Sequence, residues 1–254
     1  METIPVTNEN EQMFWNYVNR DQLNYFFFII DWTQRREKTK IWLAIDGKEV
    51  SGSLLVFDNF IVQLRGSREA VQHLVECVEF DKVDLQAPVD CEDIVCRKFK
   101  PRVSEHMMLM RLNRGEERLR IVDTPTRLDV EYAEEVASLL RRCNPERWSE
   151  VTSERLRQEW QKNYWLGIMR ENKLASIGDV HFDVAFATNI SIIATDEHYR
   201  GKGYATSIVS VFVQEILHRS PAALIHVIAD NIPAVRAYTS VGFKPYKTYL
   251  SVRT

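Results

Sequence analysis

Apolar positions spaced at helical or strand period mark most of the elements in the second half of the chain. Ala133, Val136, Ala137 and Leu140 fall at i, i+3, i+4 and i+7, which predicts an amphipathic helix. Thr152 or Ser153 caps a next helix that carries Leu156 and Trp160 on one face. Strands are expected over 120–123, 164–169, 177–187, 190–195 and 224–228. Within 177–187, Val180, Phe182 and Val184 alternate with Asp179, His181 and Asp183, the pattern of a half-buried antiparallel strand with a solvated acidic face. A longer helix follows residue 203, with Ala205, Ile208, Val209, Phe212, Val213, Ile216 and Leu217 in one stripe. Pro233 opens a short helix, where its missing N–H costs nothing, and Gly242 closes it.

The first half gives fewer signals. Residues 41–45 and 50–57 flank Asp46-Gly47 as a hairpin, and 60–64 reads as a strand. Arg65-Gly66-Ser67-Arg68 then leads into a helix bearing Val71, Leu74, Val75 and Val78. This strand, Arg-Gly, helix order echoes residues 190–217 without the second glycine and suggests a decayed internal duplication. After the apolar run Met107 to Leu112, the polar stretch 113–118 is the best seam, so domains are expected at 1–118 and 119–254. Mixed strands and helices of this kind give an α/β or α+β fold.

Composition narrows the function classes. A chain of 254 residues, 45% hydrophobic and 27% charged, is ordinary globular material. Its net charge of −3 supplies no bulk field for nucleic acid, although Arg200 and Lys202 leave a local basic patch as a third-ranked alternative. The longest wholly apolar run, Tyr25 to Ile30, is far below the roughly 20 residues of a membrane span. Acidic Glu2 and Glu9 precede the first basic residue, Arg20, so no secretory signal is expected and a cytoplasmic protein is. Cys77, Cys91, Cys96 and Cys143 form no Cys-x-x-Cys pair; reduced thiols and no metal site are expected.

The chemistry concentrates in Tyr199-Arg200-Gly201-Lys202-Gly203-Tyr204-Ala205-Thr206, between a strand and the amino end of a helix. Unpaired N–H groups, the helix dipole, two glycines, small Ala205 and two cations all suit a pyrophosphate. The Rossmann and Walker patterns fit less well, for want of a third glycine and of Gly-Lys-Ser/Thr. Downstream lies a second motif, from Asn231 to Phe243. Together they resemble the GNAT superfamily of acyl-CoA-dependent N-acyltransferases. Arg200, Gly203 and Ala205 fill its Gln/Arg-x-x-Gly-x-Gly/Ala motif, and Asn231, Ala234, Tyr238, Gly242 and Phe243 fill the later one. The resemblance covers residues 119–254; the first half shares it only as the proposed degenerate copy.

The resemblance implies a GNAT-like mixed sheet flanked by helices, in two related halves, and transfer of an acetyl group from acetyl-CoA to a primary amine of a small molecule or peptide. It places the acyl carbonyl and pantetheine arm on the backbone of Ile193, Ala194 and Thr195. The pyrophosphate falls on Gly201, Lys202, Gly203, Tyr204, Ala205 and Thr206 beside Arg200, and Asn231 holds the arm or the strand ends. Tyr238 becomes the acid for the departing thiolate. His226 becomes the base, where members that acetylate protein amino termini often carry glutamate; Asp179, His181 and Asp183 are rivals, and a water chain would make a dedicated base unnecessary. Glu197 and His198 read as surface. Trp148, Trp160, Tyr164 and Trp165 read as core, with an acceptor pocket as the other option. No cysteine lies in the motifs, so direct attack in a ternary complex is expected over an acyl-enzyme. A catalytically decayed CoA-binding sensor or interaction module is the alternative.

Overall fold

The structure is a computed structural model and describes residues 1–180 and 184–254. The chain divides into two compact units. Unit 1 comprises Met1–Leu109, Ile228–Asp230 and Lys247–Thr254; unit 2 comprises Met110–Val227 and Asn231–Tyr246.

In chain order the elements of the first stretch are β1 (Glu2–Pro5), α1 (Glu11–Val18), α2 (Phe26–Gln34), β2 (Thr39–Asp46), β3 (Glu49–Phe57), β4 (Ile61–Gly66), α3 (Arg68–Leu74), β5 (Asp84–Pro88), α4 (Glu92–Phe99) and β6 (Val103–Asn113). There follow β7 (Thr126–Arg127), α5 (Ala133–Cys143), α6 (Pro145–Trp148), α7 (Ser153–Glu159), β8 (Tyr164–Arg170), β9 (Lys173–Val184), β10 (Ala187–Thr195), α8 (Tyr204–Arg219), β11 (Ala222–Ile228), α9 (Ile232–Val241) and β12 (Lys244–Arg253). Apart from the single turn of α6, the second series repeats the first: strand, helices, three strands, helix, strand, helix, strand. The duplication expected from one Arg-Gly echo is therefore present in the architecture.

Each unit builds the same mixed ladder. In unit 1, β1, β2, β3 and β4 pair antiparallel in sequence order, β4 pairs β5 in parallel, and the end of β12 pairs β5 antiparallel. In unit 2, β7, β8, β9 and β10 pair antiparallel and β10 pairs β11 in parallel. The parallel ladder of unit 2 is short. It joins Thr188, Asn189 and Ile190 to Ala223, Leu224 and Ile225 and then stops, whereas β9 follows β10 to the pair Thr195–Ser176. Irregular register at Asn189–Ile192 marks a bulge where the strands part.

Helices cover both faces of β9. On one face α8 buries Ile208, Phe212, Val213 and Ile216. On the other, Ile177 joins a cluster with Val136, Leu140, Trp160 and Trp165. This corrects the expectation that Asp179 faces solvent. It is 1% exposed; Oδ2 accepts from Asn163 Nδ2 at 3.0 Å and Oδ1 is buried without a partner. Burial pushes its carboxyl up to about 8, against which the Asn163 bond pulls only in part. His181 and Asp183, read with it as one face, lie outside the described residues.

Three further expectations change. Residues 120–123 form no strand: Arg120 N–H donates to Ser210 Oγ at 2.9 Å and Val122 N–H to Ser207 Oγ at 3.0 Å, so helix α8 satisfies backbone that a neighbouring strand would have paired. The helix through Val78 ends at Leu74, followed by one tighter turn to Cys77. The apolar run Tyr25 to Ile30 is the head of α2, which the pattern left unassigned, and β1, β5, α1, α4 and β12 were likewise without a signal. By contrast Trp160 and Trp165 are core, stacked at 5.3 Å.

Two stability measurements follow. Gly178 lets α8 seat on β9: a Cβ there would lie 2.5 Å from Ile208 and 2.6 Å from Phe212. Gly178→Ala lowers unfolding free energy by about 1–3 kcal/mol in denaturant titration, because overpacking forces backbone shifts. Asp179 gives a pH signature. Unfolded, its carboxyl titrates near 3.8; folded, near 8, so between these values the native state holds a proton that the unfolded state has released. Stability from this group is full below about pH 4, declines towards pH 8 by up to about 1.4 kcal/mol per unit, and is flat above. Asp179→Asn, isosteric with the protonated acid, removes that slope when the two proteins are melted side by side from pH 4 to 8.

Candidate active site

Where β10 leaves β11, the edge of Ile192–Thr195 has no β11 ladder. Its side chains are fixed from the other sides. Ile193 points towards α8, Ala194 joins the cluster under α5, and Thr195 Oγ1 lies 2.8 Å from Ser176 Oγ. What remains is a stretch of extended backbone with donors and acceptors directed into the opening.

The chain then turns through Glu197–Tyr199, whose start Asp196 caps by accepting from His198 N–H at 3.1 Å. Glu197 and His198 are exposed, as expected. Arg200 Nε donates back to Thr195 O at 3.2 Å, tying the loop to the end of β10. Gly201 (φ +75°) and Gly203 (φ +81°) hold the left-handed conformation that favours glycine, and Gly203 stands at the cap of α8 with no side chain bonding the first turn. A Cβ on Gly203 would meet Val122 at 2.9 Å, and one on Gly201 would meet nothing. The amides of Tyr204, Ala205 and Thr206 therefore head a helix of 16 residues, half-exposed and without intrahelical acceptors.

Charge is arranged around that helix head. Lys202 Nζ sits 4.9 Å from the Tyr199 ring, and Arg142 reaches Asp196 at 3.1 Å. Arg170 donates to Tyr204 OH at 2.9 Å and forms an ion pair with Asp123. Positive dipole, open amides and two cations on one loop suit an anion with several oxygens. Among the described residues no cluster of His, Cys, Asp or Glu could hold a metal ion, and no helix is long and apolar enough to cross a membrane.

His226 is the first residue of β11 beyond the parallel ladder, so it stands at the mouth of the opening. Its Nδ1 is 3.3 Å from Asn189 Oδ1, and Asn189 is 3% exposed, its amide donating to Ser191 Oγ at 3.3 Å. A carbonyl oxygen accepts only from a protonated Nδ1, which leaves Nε2 as the basic nitrogen. Asn189 was not singled out in the sequence; the available signal was a lone amide inside an apolar strand. Asn231 caps α9, its Oδ1 accepting from Ala234 N–H at 3.2 Å. Tyr238, on the same helix, is 6% exposed and packs against Phe243, and burial alone raises its phenol above the usual tyrosine range. It keeps its proton throughout the physiological range.

Cys143, remote in sequence, is brought beside Arg200 at the end of α5. Burial outweighs the nearby cations and pushes its thiol up, away from the thiolate that a nucleophile needs.

Unit 1 has the same opening after Gln63 and Gln86 but not the same furniture. Gly66 leads directly to Ser67, which caps an α3 of seven residues, and there is no second glycine.

Comparison with known proteins gives the fold independently. Residues 165–252 match the model of the FR47-like protein family. No curated protein matches the sequence. Among solved structures, a Drosophila protein superposes with a TM-score of 0.72 at 12% identity over 98% of both chains. A GNAT-family acetyltransferase from Colwellia psychrerythraea gives 0.58 at 12% identity over the whole of both chains. A tandem GNAT protein from the clavulanic acid biosynthesis pathway gives 0.59 at 13% identity over 98% of this chain and 97% of its own. The chain thus carries an FR47-like carboxyl-terminal region, 165–252, within a fold that is that of the GNAT acetyltransferases in tandem form.

Proposed function

We propose that this protein is an acetyl-CoA-dependent N-acetyltransferase acting on a primary amine, with the active site in unit 2. The observation that carries the reading is the conjunction of a parted strand pair, β10 and β11, with a glycine-capped, uncapped-by-side-chain helix head at its end. The edge of Ile193, Ala194 and Thr195 receives the acyl carbonyl and pantetheine arm. Gly201 to Thr206 receive the pyrophosphate, with Arg200 and Lys202 adding charge. Asn231, whose oxygen caps α9, has amide hydrogens left for the arm. Acetyl-CoA supplies the activated acyl group, a thioester carbonyl open to nucleophiles.

The chain's own groups meet the remaining demands. Backbone N–H groups of β10 hold the carbonyl oxygen as negative charge builds on it while the amine attacks the carbonyl carbon. His226 Nε2 takes the proton that the nitrogen sheds as the C–N bond forms. Tyr238 gives its phenolic proton to sulfur as the C–S bond breaks, and is restored from solvent. Its raised pKa keeps that proton in place until a strongly basic thiolate appears. Asp179 is sealed from solvent and held neutral around pH 7, which favours His226 for the base.

Three variants test this. Gly203→Glu raises the dissociation constant for acetyl-CoA at least 100-fold in calorimetry while circular dichroism stays unchanged, since a carboxylate meets the pyrophosphate. Tyr238→Phe lowers kcat by roughly 10-fold or more and leaves acetyl-CoA affinity as it was. Cys143→Ser keeps turnover within about twofold, because no acyl-enzyme forms on it. Folded wild type that binds no acetyl-CoA at millimolar concentration would remove the reading.

A further inference from the structure

Unit 1 buries a cation without a counter-charge. Arg65 on β4 is 3% exposed. Its Nη2 donates to Gln63 Oε1 at 3.0 Å and Gln86 Oε1 at 3.2 Å, and Nη1 to Leu64 O at 2.9 Å. The Tyr249 ring lies 3.9 Å from the guanidinium carbon. Every one of these acceptors is neutral. Among the described residues no carboxylate pairs with Arg65; Asp21, which shares the field of Tyr249, pairs with Lys247 at 3.6 Å. Taking an unpaired charge out of water is among the most costly things a fold does, and neutral amides repay it only in part.

Two donors at this point also lack acceptors. Arg65 Nε is buried without a partner, and so is Ser53 Oγ, on a residue 0% exposed. Ser53 is the ladder partner of Arg65 across β3 and β4, so the two side chains leave the sheet side by side on one face. Below them Gln63 and Gln86 pair across β4 and β5. The register gives the position a meaning. Arg65 comes two residues after the last parallel pair of unit 1, as Ile192 does in unit 2, and Ser53 stands where unit 2 has Asp179. What is an opening for an acyl arm in one half is, in the other, a closed polar seat with a positive charge.

We propose that Ser53 Oγ–H and Arg65 Nε–H hold a small anion of halide size inside unit 1. A water molecule would accept from both donors and leave the charge uncompensated; an anion does both. Because both donor atoms are sealed from solvent, the seat takes a monatomic ion and excludes phosphate or acetate.

The test uses the full-length protein. Crystals grown in sodium bromide, with data collected at the bromine absorption edge, show an anomalous peak between Ser53 and Arg65. In solution, chloride or bromide replacing gluconate at constant ionic strength raises Tm saturably by about 3 °C or more. Phosphate and acetate do not. Ser53→Ala, which removes one donor without enlarging the site, loses most of the halide effect, and Arg65→Met, if it folds, loses all of it. An ordered water or no density at the site would overturn the proposal. So would an anomalous peak with no halide-dependent Tm, which is an adventitious ion only.

Discussion

The short parallel ladder between β10 and β11 governs what unit 2 is able to do. After Ile190 and Ile225 the two strands separate, while β9 holds β10 straight to Thr195. A strand held on one edge and released on the other presents backbone amides that neither water nor sheet has claimed. Because α8 follows this strand after one loop, the amides at its head continue the same line of donors. The fold thus offers a thioester carbonyl and a pyrophosphate two ends of one continuous surface made of main chain.

Maintaining that opening sets requirements elsewhere. Gly178 must lack a side chain for α8 to lie against β9, and Ser207 and Ser210 must occupy the face of α8 that bonds residues 120–122. His226 must be turned by a buried amide, Asn189, so that the correct nitrogen is free. Asp179 keeps a neutral carboxyl in a core of tryptophan and isoleucine. Buried polar groups of this kind lower stability, and their concentration around one opening fits a site whose geometry is held at that cost.

The two halves show how one architecture diverges. Both contain the parted strands, yet only unit 2 follows them with two left-handed glycines and a long helix. In unit 1 the helix is short and Arg65 turns its guanidinium into the sheet's polar neighbours, stacked on Tyr249. Topology was retained while side chains replaced a cofactor surface with an enclosed polar cluster.

Sequence alone determined the local elements of the second half. Helical period marked α5 and α8, Pro233 and Gly242 bounded α9, and glycine spacing marked the loop from Tyr199 to Thr206, because all of these depend on neighbours within a few residues. Tertiary structure decided the rest. Alternation suggested a solvated Asp179, but whether a strand is covered on one face or two depends on helices packed from elsewhere in the chain. Residues 120–123 have strand composition, yet long-range serines on α8 took their hydrogen bonds. The run at Tyr25 lacked a period because α2 is apolar on nearly every side, so nothing local told helix from strand. The pairing of His226 with Asn189, of Cys143 with Arg200, and of Ser53 with Arg65 arises from register and packing between distant segments. Spacing along the chain carries no record of such contacts.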